Sequence, residues 1–388
     1  MFQTTFLLLV YSKTSSVNVI DEFIPSQRLK YGIVYIAGRD PNGAGDFGII
    51  DQLHLSVLSA CYTSEKHHQI NFVIFVSDLD HKKCASSSHF DDECIYSRVE
   101  RSCHSVLPHA KFTYAPLDDA ILNWWFEHLG IVSFYHHSTW FGYTKLWLPN
   151  LLEKNYSNIL FVDTDTIWNK PPSVIFNELD HFNSTQVVGA SSIMNAHPQS
   201  KSFWNRITSG ILLMDLQKMN NSINWTSILT NSIVSNRGGL EAGEKIPVTY
   251  NRSAHCEDAH WGLFSKPLCL SIPDFDSMVK DCETSRTCWM AREGDQEFFS
   301  NIFTNFHPEL LYQLPSEHQC IVMHNFKVGG GLVCDNATLM HAPKFEKLLA
   351  NKKYLTAFSK VLPPKMYESV RLFFRQMDSE MSFLSPPI

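Results

Sequence analysis

The chain has 388 residues, of which 44% are hydrophobic and 18% are charged. It is therefore long enough to bury a large core, and too apolar to be a disordered protein. Its formal net charge of −7 and its pI near 6.2 argue against nucleic acid as a partner. An anionic ligand would have to be held locally, by a metal ion or by a few basic side chains.

The N-terminal leader, residues 1–29, contains the apolar run Phe6–Tyr11. This run is too short to span a bilayer, and no basic segment precedes it. A minimal signal peptide, a truncated membrane anchor and an ordinary apolar segment all fit it.

The sequons favour a secretory compartment, and the cysteines are compatible with it. The ten cysteines are compatible with disulfides. Six Asn-x-Ser/Thr sequons point to a glycoprotein; they begin at Asn155, Asn183, Asn220, Asn224, Asn251 and Asn336. We expect the chain in the lumen of the Golgi or endoplasmic reticulum, with single-pass type II anchoring as one option.

Along the chain, the first elements form a βαβ unit. A strand is predicted over 31–37, a helix over 49–60 and a second strand over 70–76. The loop after the first strand begins with Gly38, which would let a nucleotide approach the backbone. No P-loop motif (GxxxxGK[ST]) is present, so a nucleotide site of that kind is not predicted.

The rest of the chain adds further elements to the same domain. A helical stretch is predicted around 131–152, a helix from residue 294, and strands at 159–162, 187–190, 209–215 and 321–323. Residues 217–292 are polar and turn-rich and form a predicted cysteine-rich insertion, in which Cys282–Cys288 is a plausible local disulfide. We predict one domain over 30–350, with a helical tail over 351–388.

The apolar run Ile159–Val162 leads directly into Asp163-Thr164-Asp165. Such a run is typical of a strand buried on both faces of a parallel sheet, and ligands bind beyond the carboxyl ends of these strands. The i, i+2 spacing turns both carboxylates to one side in an extended chain. Two converging oxygen donors suit Mg²⁺ or Mn²⁺, so Asp163 and Asp165 are predicted metal ligands.

Two later motifs in the sequence fit the same metal and phosphate chemistry. His324 follows the second apolar strand and is a candidate third ligand; Lys327 and three glycines beside it suit a phosphate group. Asp295 and Gln296 open a predicted helix, although an acidic residue is also what helix capping favours at that place.

The order of these motifs resembles the retaining glycosyltransferases of the glycogenin-like type (family 8), and is most similar to the glucoside xylosyltransferases. The resemblance implies an α/β fold of the GT-A type, with a mostly parallel central sheet flanked by helices. The segments that carry it are Thr144-Lys145-Leu146, Asp163-Thr164-Asp165, Phe182–Val187, Ser209-Gly210 and Gly294-Asp295-Gln296.

By this resemblance, Asp163, Asp165 and His324 would bind Mn²⁺, or alternatively Mg²⁺, at the diphosphate of a UDP-sugar. Gln296 would lie near the anomeric carbon, and Asp295 would hold sugar hydroxyls, so these two are the predicted catalytic residues. The other predicted substrate contacts are Lys145 and Lys327 at the phosphates, Ser209 and Gly210 at the sugar, and Ala37, Gly38 and Asp78 around the uridine. The resemblance assigns no protein nucleophile or catalytic base.

The implied reaction moves xylose from UDP-xylose onto a glycan acceptor, namely O-linked glucose on EGF-like repeats. Two positions depart from the family pattern. The asparagine before Ser209 is Thr208 here, and Lys327 follows His324 by three residues, with Gly330 in the usual place of the lysine.

Two other readings stay open. One is a catalytically weak protein of the same fold that binds sugar. The other is a phosphatase with an Asp-x-Asp-x-Thr motif, in which Asp163 would be the nucleophile and Asp165 the acid/base. Against the phosphatase, the motif lies in the middle of the chain, and Phe299 stands where a second acidic residue is expected.

Overall fold

The structure is a computed structural model that describes eleven segments of the chain. They are residues 29–37, 49–65, 69–77, 81–82, 96–117, 131–132, 140–192, 207–229, 289–290, 295–321 and 337–341. The predicted leader, most of the insertion, the Cys282–Cys288 pair and the tail lie outside them. So do Gly38, Asp78, His324 and Lys327.

Seven of the described strands form one mostly parallel sheet. They are β1 Leu29–Ile36, β2 Asn71–Ser77, β3 Lys111–Leu117, β5 Tyr156–Val162, β7 Val188–Ser192, β8 Ile207–Asp215 and β10 Leu311–Gln313. Their order in the sheet is β3-β2-β1-β5-β8-β7-β10. β8 runs antiparallel to both of its neighbours, and the other pairs are parallel.

Helices cover both faces of this sheet. Six helices are described over their full length: α1 Ile49–Thr63, α2 Ser97–His104, α3 Thr144–Leu152, α4 Ser173–Phe176, α5 Leu216–Asn221 and α6 Asp295–Ser300. Residues 81–82 and 225–229 are also helical. Short turns are 3₁₀ at Trp140–Tyr143, Asn177–His181, Pro308–Leu310 and Ser316–His318, and π-helical at Asn301–Phe306. The predicted fold class, an α/β fold with a mostly parallel central sheet flanked by helices, is confirmed.

The central strands are apolar because both of their faces are buried. Alternate residues of β5 enter opposite core clusters: Leu160 packs with the α1 side, and Phe161 packs with the α3 and α6 side. On the first side, a Cys61–Cys103 disulfide links α1 to α2. None of the helices in the described segments is long and apolar enough to cross a membrane.

A smaller sheet lies beyond the end of β5. It contains β6 Thr166–Trp168, β11 Gln319–Ile321 and β12 Leu339–His341, in the order β11-β12-β6. β12 is parallel to β11 and antiparallel to β6. Two further short strands, β4 Ile131–Val132 and β9 Trp289–Met290, pair with each other.

The segment 82–118 and the helix predicted over 131–152 differ from expectation. No helix or strand is predicted in the first segment, which contributes α2 and β3. β3 is an edge strand with exposed and half-buried residues in its first half, so its sequence lacks the continuous apolar run of a central strand. In the second segment, α3 begins only at Thr144, after a 3₁₀ turn.

Candidate active site

The predicted metal pair lies at the carboxyl end of β5. The strand ends at Val162, residues 163–165 form a turn, and β6 begins at Thr166. The backbone N–H of Asp163 donates to the carbonyl of Gly210 at 2.9 Å, which continues the pairing of β5 with β8. The turn therefore projects both aspartates from the same edge of the central sheet.

His341 is the third member of a group that could hold a metal ion. Its Nε2 lies 3.1 Å from Asp165 Oδ1 and 3.8 Å from Asp163 Oδ2. Strand pairing explains this proximity, because the β12–β6 register places His341 opposite Thr166, the residue that follows Asp165. One ligand atom from each of the three residues lies within 4.8 Å of the other two.

Gly210 allows β8 to approach this group closely. A Cβ atom at this position would lie 2.9 Å from Asp163 Oδ2, 2.9 Å from His341 Cε1 and 3.0 Å from His341 Nδ1. Any side chain would push apart the carboxylate and the imidazole. The close approach of Asp163 and His341 therefore requires a glycine at position 210, which belongs to the predicted Ser209-Gly210 motif.

Lys145 is buried beside the pair. Its Nζ lies 3.0 Å from Asp163 Oδ1 and 2.8 Å from Asp295 Oδ2, and it also donates to the carbonyl and hydroxyl of Ser209 at 3.4 and 3.5 Å. The ammonium further lies 4.7 Å from the ring centre of Phe161. One cation thus joins α3, the end of β5, β8 and the start of α6.

Burial and charge shift the pKa values here in definite directions. Burial by itself lowers the pKa of Lys145, but the carboxylates of Asp163 and Asp295 outweigh it, so the net pKa is raised. Burial raises the pKa of Asp163, against the opposing effect of Lys145. Burial lowers the pKa of His341, but the neighbouring Asp165 carboxylate reverses this and the net pKa is raised.

The donor set fits a divalent cation. Three carboxylates (Asp163, Asp165 and Asp295) and the Lys145 ammonium leave a formal charge of −2 when the His341 imidazole is neutral. Adjacent ligands of an ion with bonds of about 2.1 Å stand about 3 Å apart, which is comparable to the spacing between His341 and Asp165. Carboxylate oxygens are ligands of Mg²⁺ and Mn²⁺, and an imidazole is a ligand of divalent transition-metal ions.

The structure brings together most of the predicted site residues that it describes. Lys145, Asp163, Asp165, Ser209, Gly210 and Asp295 form one connected group. Gln296 follows Asp295 at the start of α6 and is half-buried. Ala37 is buried after β1, where its carbonyl accepts a hydrogen bond from the Tyr96 hydroxyl at 3.0 Å.

Thr208, the departure from the family pattern, is linked to His341 through the side chain of Gln319. The Gln319 amide lies 3.1 Å from Thr208 Oγ1 and 3.5 Å from His341 Nδ1. The backbone N–H of Gly210 donates to the Thr208 hydroxyl at 3.3 Å. The Thr208 hydroxyl therefore holds the backbone of Gly210 in place, and it also holds the Gln319 amide that neighbours the imidazole of His341.

Sequence reasoning selected His324 and missed His341. The sequence contains Met-His twice, at Met323-His324 and Met340-His341, and each pair follows a short apolar stretch. Local pattern alone could not choose between them. His324 lies outside the described residues, so its role as a ligand stays a prediction, whereas His341 is in place beside both aspartates.

Comparisons with known proteins give similarity in structure only. No protein-family model matches the sequence, and no curated protein matches it. Mouse xyloside xylosyltransferase 1 in its apo form matches 81% of this chain and 97% of its own, at 14% identity and a TM-score of 0.47.

Two other similar structures are glycosyltransferases by their descriptions. The galactosyltransferase LgtC, in complex with donor and acceptor sugar analogs, matches 80% of this chain and 86% of its own, at 9% identity and a TM-score of 0.40. GlyE of Streptococcus pneumoniae matches 80% of this chain and 55% of its own, at 10% identity and a TM-score of 0.40. At such low identities and TM-scores, function has to be argued from the site itself.

Proposed function

We propose that the protein is a metal-dependent glycosyltransferase that uses a nucleoside-diphosphate sugar. The observation that supports this most directly is the group formed by Asp163, Asp165 and His341 at the carboxyl end of a parallel strand. Ligands of open α/β sheets bind at this edge. A divalent cation held there would stabilise the negative charge of a departing nucleoside diphosphate.

The chain's own residues would divide the remaining work. Lys145 is fixed by Asp163 and Asp295, so its charge is available near the metal without the entropy cost of ordering a free lysine. Ser209 and Asp295 border this lysine and offer polar groups to sugar hydroxyls. Gln296, next in α6, is our candidate for the residue near the anomeric carbon.

The donor and acceptor belong to the finer part of the proposal. By the resemblance of the motifs, we propose UDP-xylose as donor, with retention of configuration, and an O-linked glucose on an EGF-like repeat as acceptor. The metal would be Mn²⁺, with Mg²⁺ as substitute. Gly38, Asp78 and Lys327 remain proposed donor contacts, and Ala37 is proposed to border the uridine.

We also propose that the protein works in the lumen of the secretory pathway. The Cys61–Cys103 disulfide supports this, since disulfides persist in oxidising compartments. The sequon at Asn183 lies on the surface, where a glycan could be attached. Membrane anchoring by the leader remains part of the same proposal.

A panel of UDP-sugars, incubated with the protein in Mn²⁺ or in EDTA, tests the proposed reaction. We expect turnover of one donor with Mn²⁺ only, and a loss of at least about 100-fold in Asp165→Asn, because a metal ligand is removed. The matched control is Asp180→Asn, which changes an exposed aspartate on a 3₁₀ turn. His341→Ala and His324→Ala, compared side by side, test which histidine the metal requires.

Each failure of this experiment has a distinct meaning. Turnover that persists in EDTA, or that is undiminished in Asp165→Asn, would contradict the metal mechanism. Donor binding without turnover on any acceptor would favour the catalytically weak sugar-binding protein. Hydrolysis of p-nitrophenyl phosphate that depends on Asp163 would favour the phosphatase.

A further inference from the structure

Four hydrogen bonds, three of them buried and the last part-buried, link the core to the turn that carries the aspartates. The indole Nε1 of Trp168 lies 3.3 Å from the Tyr35 hydroxyl, which lies 2.9 Å from Ser56 Oγ. Ser56 Oγ lies 2.7 Å from Thr166 Oγ1, and the Thr166 hydroxyl donates to the carbonyl of Asp163 at 2.8 Å. We call these five groups the hydroxyl chain.

The two ends of the hydroxyl chain fix its direction. An indole N–H can only donate, and a backbone carbonyl can only accept. Each of the three hydroxyls has one hydrogen, so each must accept from the group before it and donate to the group after it. The arrangement of hydrogens that makes all four bonds is therefore unique, and it ends on the peptide of Asp163.

Burial makes this arrangement costly to disturb. Tyr35, Ser56, Thr166 and Trp168 are each at most 1% exposed. Hydrogen bonds in such surroundings are stronger than in water, and a group left without its partner is penalised. The hydroxyl chain also joins three separate elements, because its members come from β1, α1 and β6.

The last bond of the hydroxyl chain closes the metal turn. Thr166 reaches back over three residues to the carbonyl of Asp163, and so restrains the peptides between Asp163 and Asp165. We propose that Ser56 and Thr166 are positioning residues that set the separation of the two carboxylates. This inference rests on the proposed function, because it assumes that the carboxylates bind a divalent cation.

The test measures Mn²⁺ affinity directly, by electron paramagnetic resonance of free Mn²⁺ titrated against the full chain. Thr166→Val removes the hydroxyl but keeps the shape of the side chain, and we expect Mn²⁺ binding to weaken about 10- to 100-fold. Thr166→Ser keeps the hydroxyl and should stay within a few-fold of the wild type. Ser56→Ala should resemble Thr166→Val, and it replaces that variant if the valine prevents folding.

Ser59→Ala is the matched control. Ser59 is also a buried serine of α1, but its hydroxyl accepts from the backbone N–H of Trp168 at 2.9 Å and donates to the carbonyl of Ser56 at 2.8 Å. We expect this variant to lose stability on urea unfolding while its Mn²⁺ affinity stays unchanged. If Thr166 affected Mn²⁺ binding only through the overall stability of the protein, Ser59→Ala would weaken Mn²⁺ binding equally.

The outcomes separate this inference from the proposed function. If the wild type binds Mn²⁺ and Thr166→Val and Ser56→Ala bind it equally well, the inference is wrong and the proposed function is untouched. Equal weakening in Ser59→Ala also overturns the inference. If the wild type binds no Mn²⁺ at all, the proposed function fails and the inference fails with it.

Discussion

The buried ammonium of Lys145 leads to a sharp prediction about stability. The side chain is 6% exposed and lies 2.8 Å from a carboxylate oxygen of Asp295, whose own side chain is 2% exposed. Lys145→Met keeps most of the side-chain volume and removes the charge, so the Asp295 carboxylate stays buried without its cation. Removing one partner of a buried ion pair costs about 3–5 kcal/mol, and we expect that loss in the free energy of unfolding.

Urea unfolding in EDTA measures this loss, because chelation prevents a bound cation from replacing the missing charge. The matched control is Lys218→Met, which breaks an ion pair of 3.7 Å with Asp215, in which the lysine is 31% exposed. A surface pair of this kind contributes less than about 1 kcal/mol. Equal losses in the two variants would refute our reading of Lys145 as a structural cation of the site.

Three further predictions concern other parts of the molecule. Gly210→Ala, whose Cβ would lie 2.9 Å from a ligand carboxylate oxygen, should weaken Mn²⁺ binding at least about tenfold in calorimetric titration. Gly32→Ala is the control: its Cβ would also be crowded, but it lies away from the site, so this variant should lower stability only. Cys61→Ser with Cys103→Ser opens a loop with a sequence separation of 42 residues, and should cost about 4 kcal/mol in oxidising buffer and nothing in reductant. Burial lowers the pKa of His54 to about 4 from its ordinary value of 6.5. The contribution of His54 to the free energy of unfolding is therefore fully present above pH 6.5, and about 3 kcal/mol of it is lost as the pH falls to 4. Urea unfolding of His54→Gln should lack this loss.

The central sheet could be predicted from the sequence because burial on both faces leaves a local signal. The apolar run that ends at Val162 marks a strand whatever its neighbours are, and the observed β5 includes it. The acidic pair that follows is equally local. Its placement at the edge of the sheet then follows from the general behaviour of parallel strands.

The parts that the sequence could not predict depend on pairing across the fold. His341 becomes a neighbour of Asp165 only through the register of β12 against β6, which no local pattern encodes. The Cys61–Cys103 disulfide depends in the same way on how α1 packs against α2. In the sequence, Ser56 is an ordinary helix residue. Its hydroxyl bonds to Thr166 only in the folded protein, because Thr166 lies 110 residues further along the chain.

The central claim is that Asp163, Asp165 and His341 hold a divalent cation which binds the diphosphate of the donor. The most direct test is calorimetric titration of UDP into the wild type and into His341→Ala, each in Mn²⁺ and in EDTA. We predict that UDP binds the wild type in Mn²⁺, and that binding is lost in EDTA and in the variant. UDP binding of equal strength under all four conditions would contradict the claim.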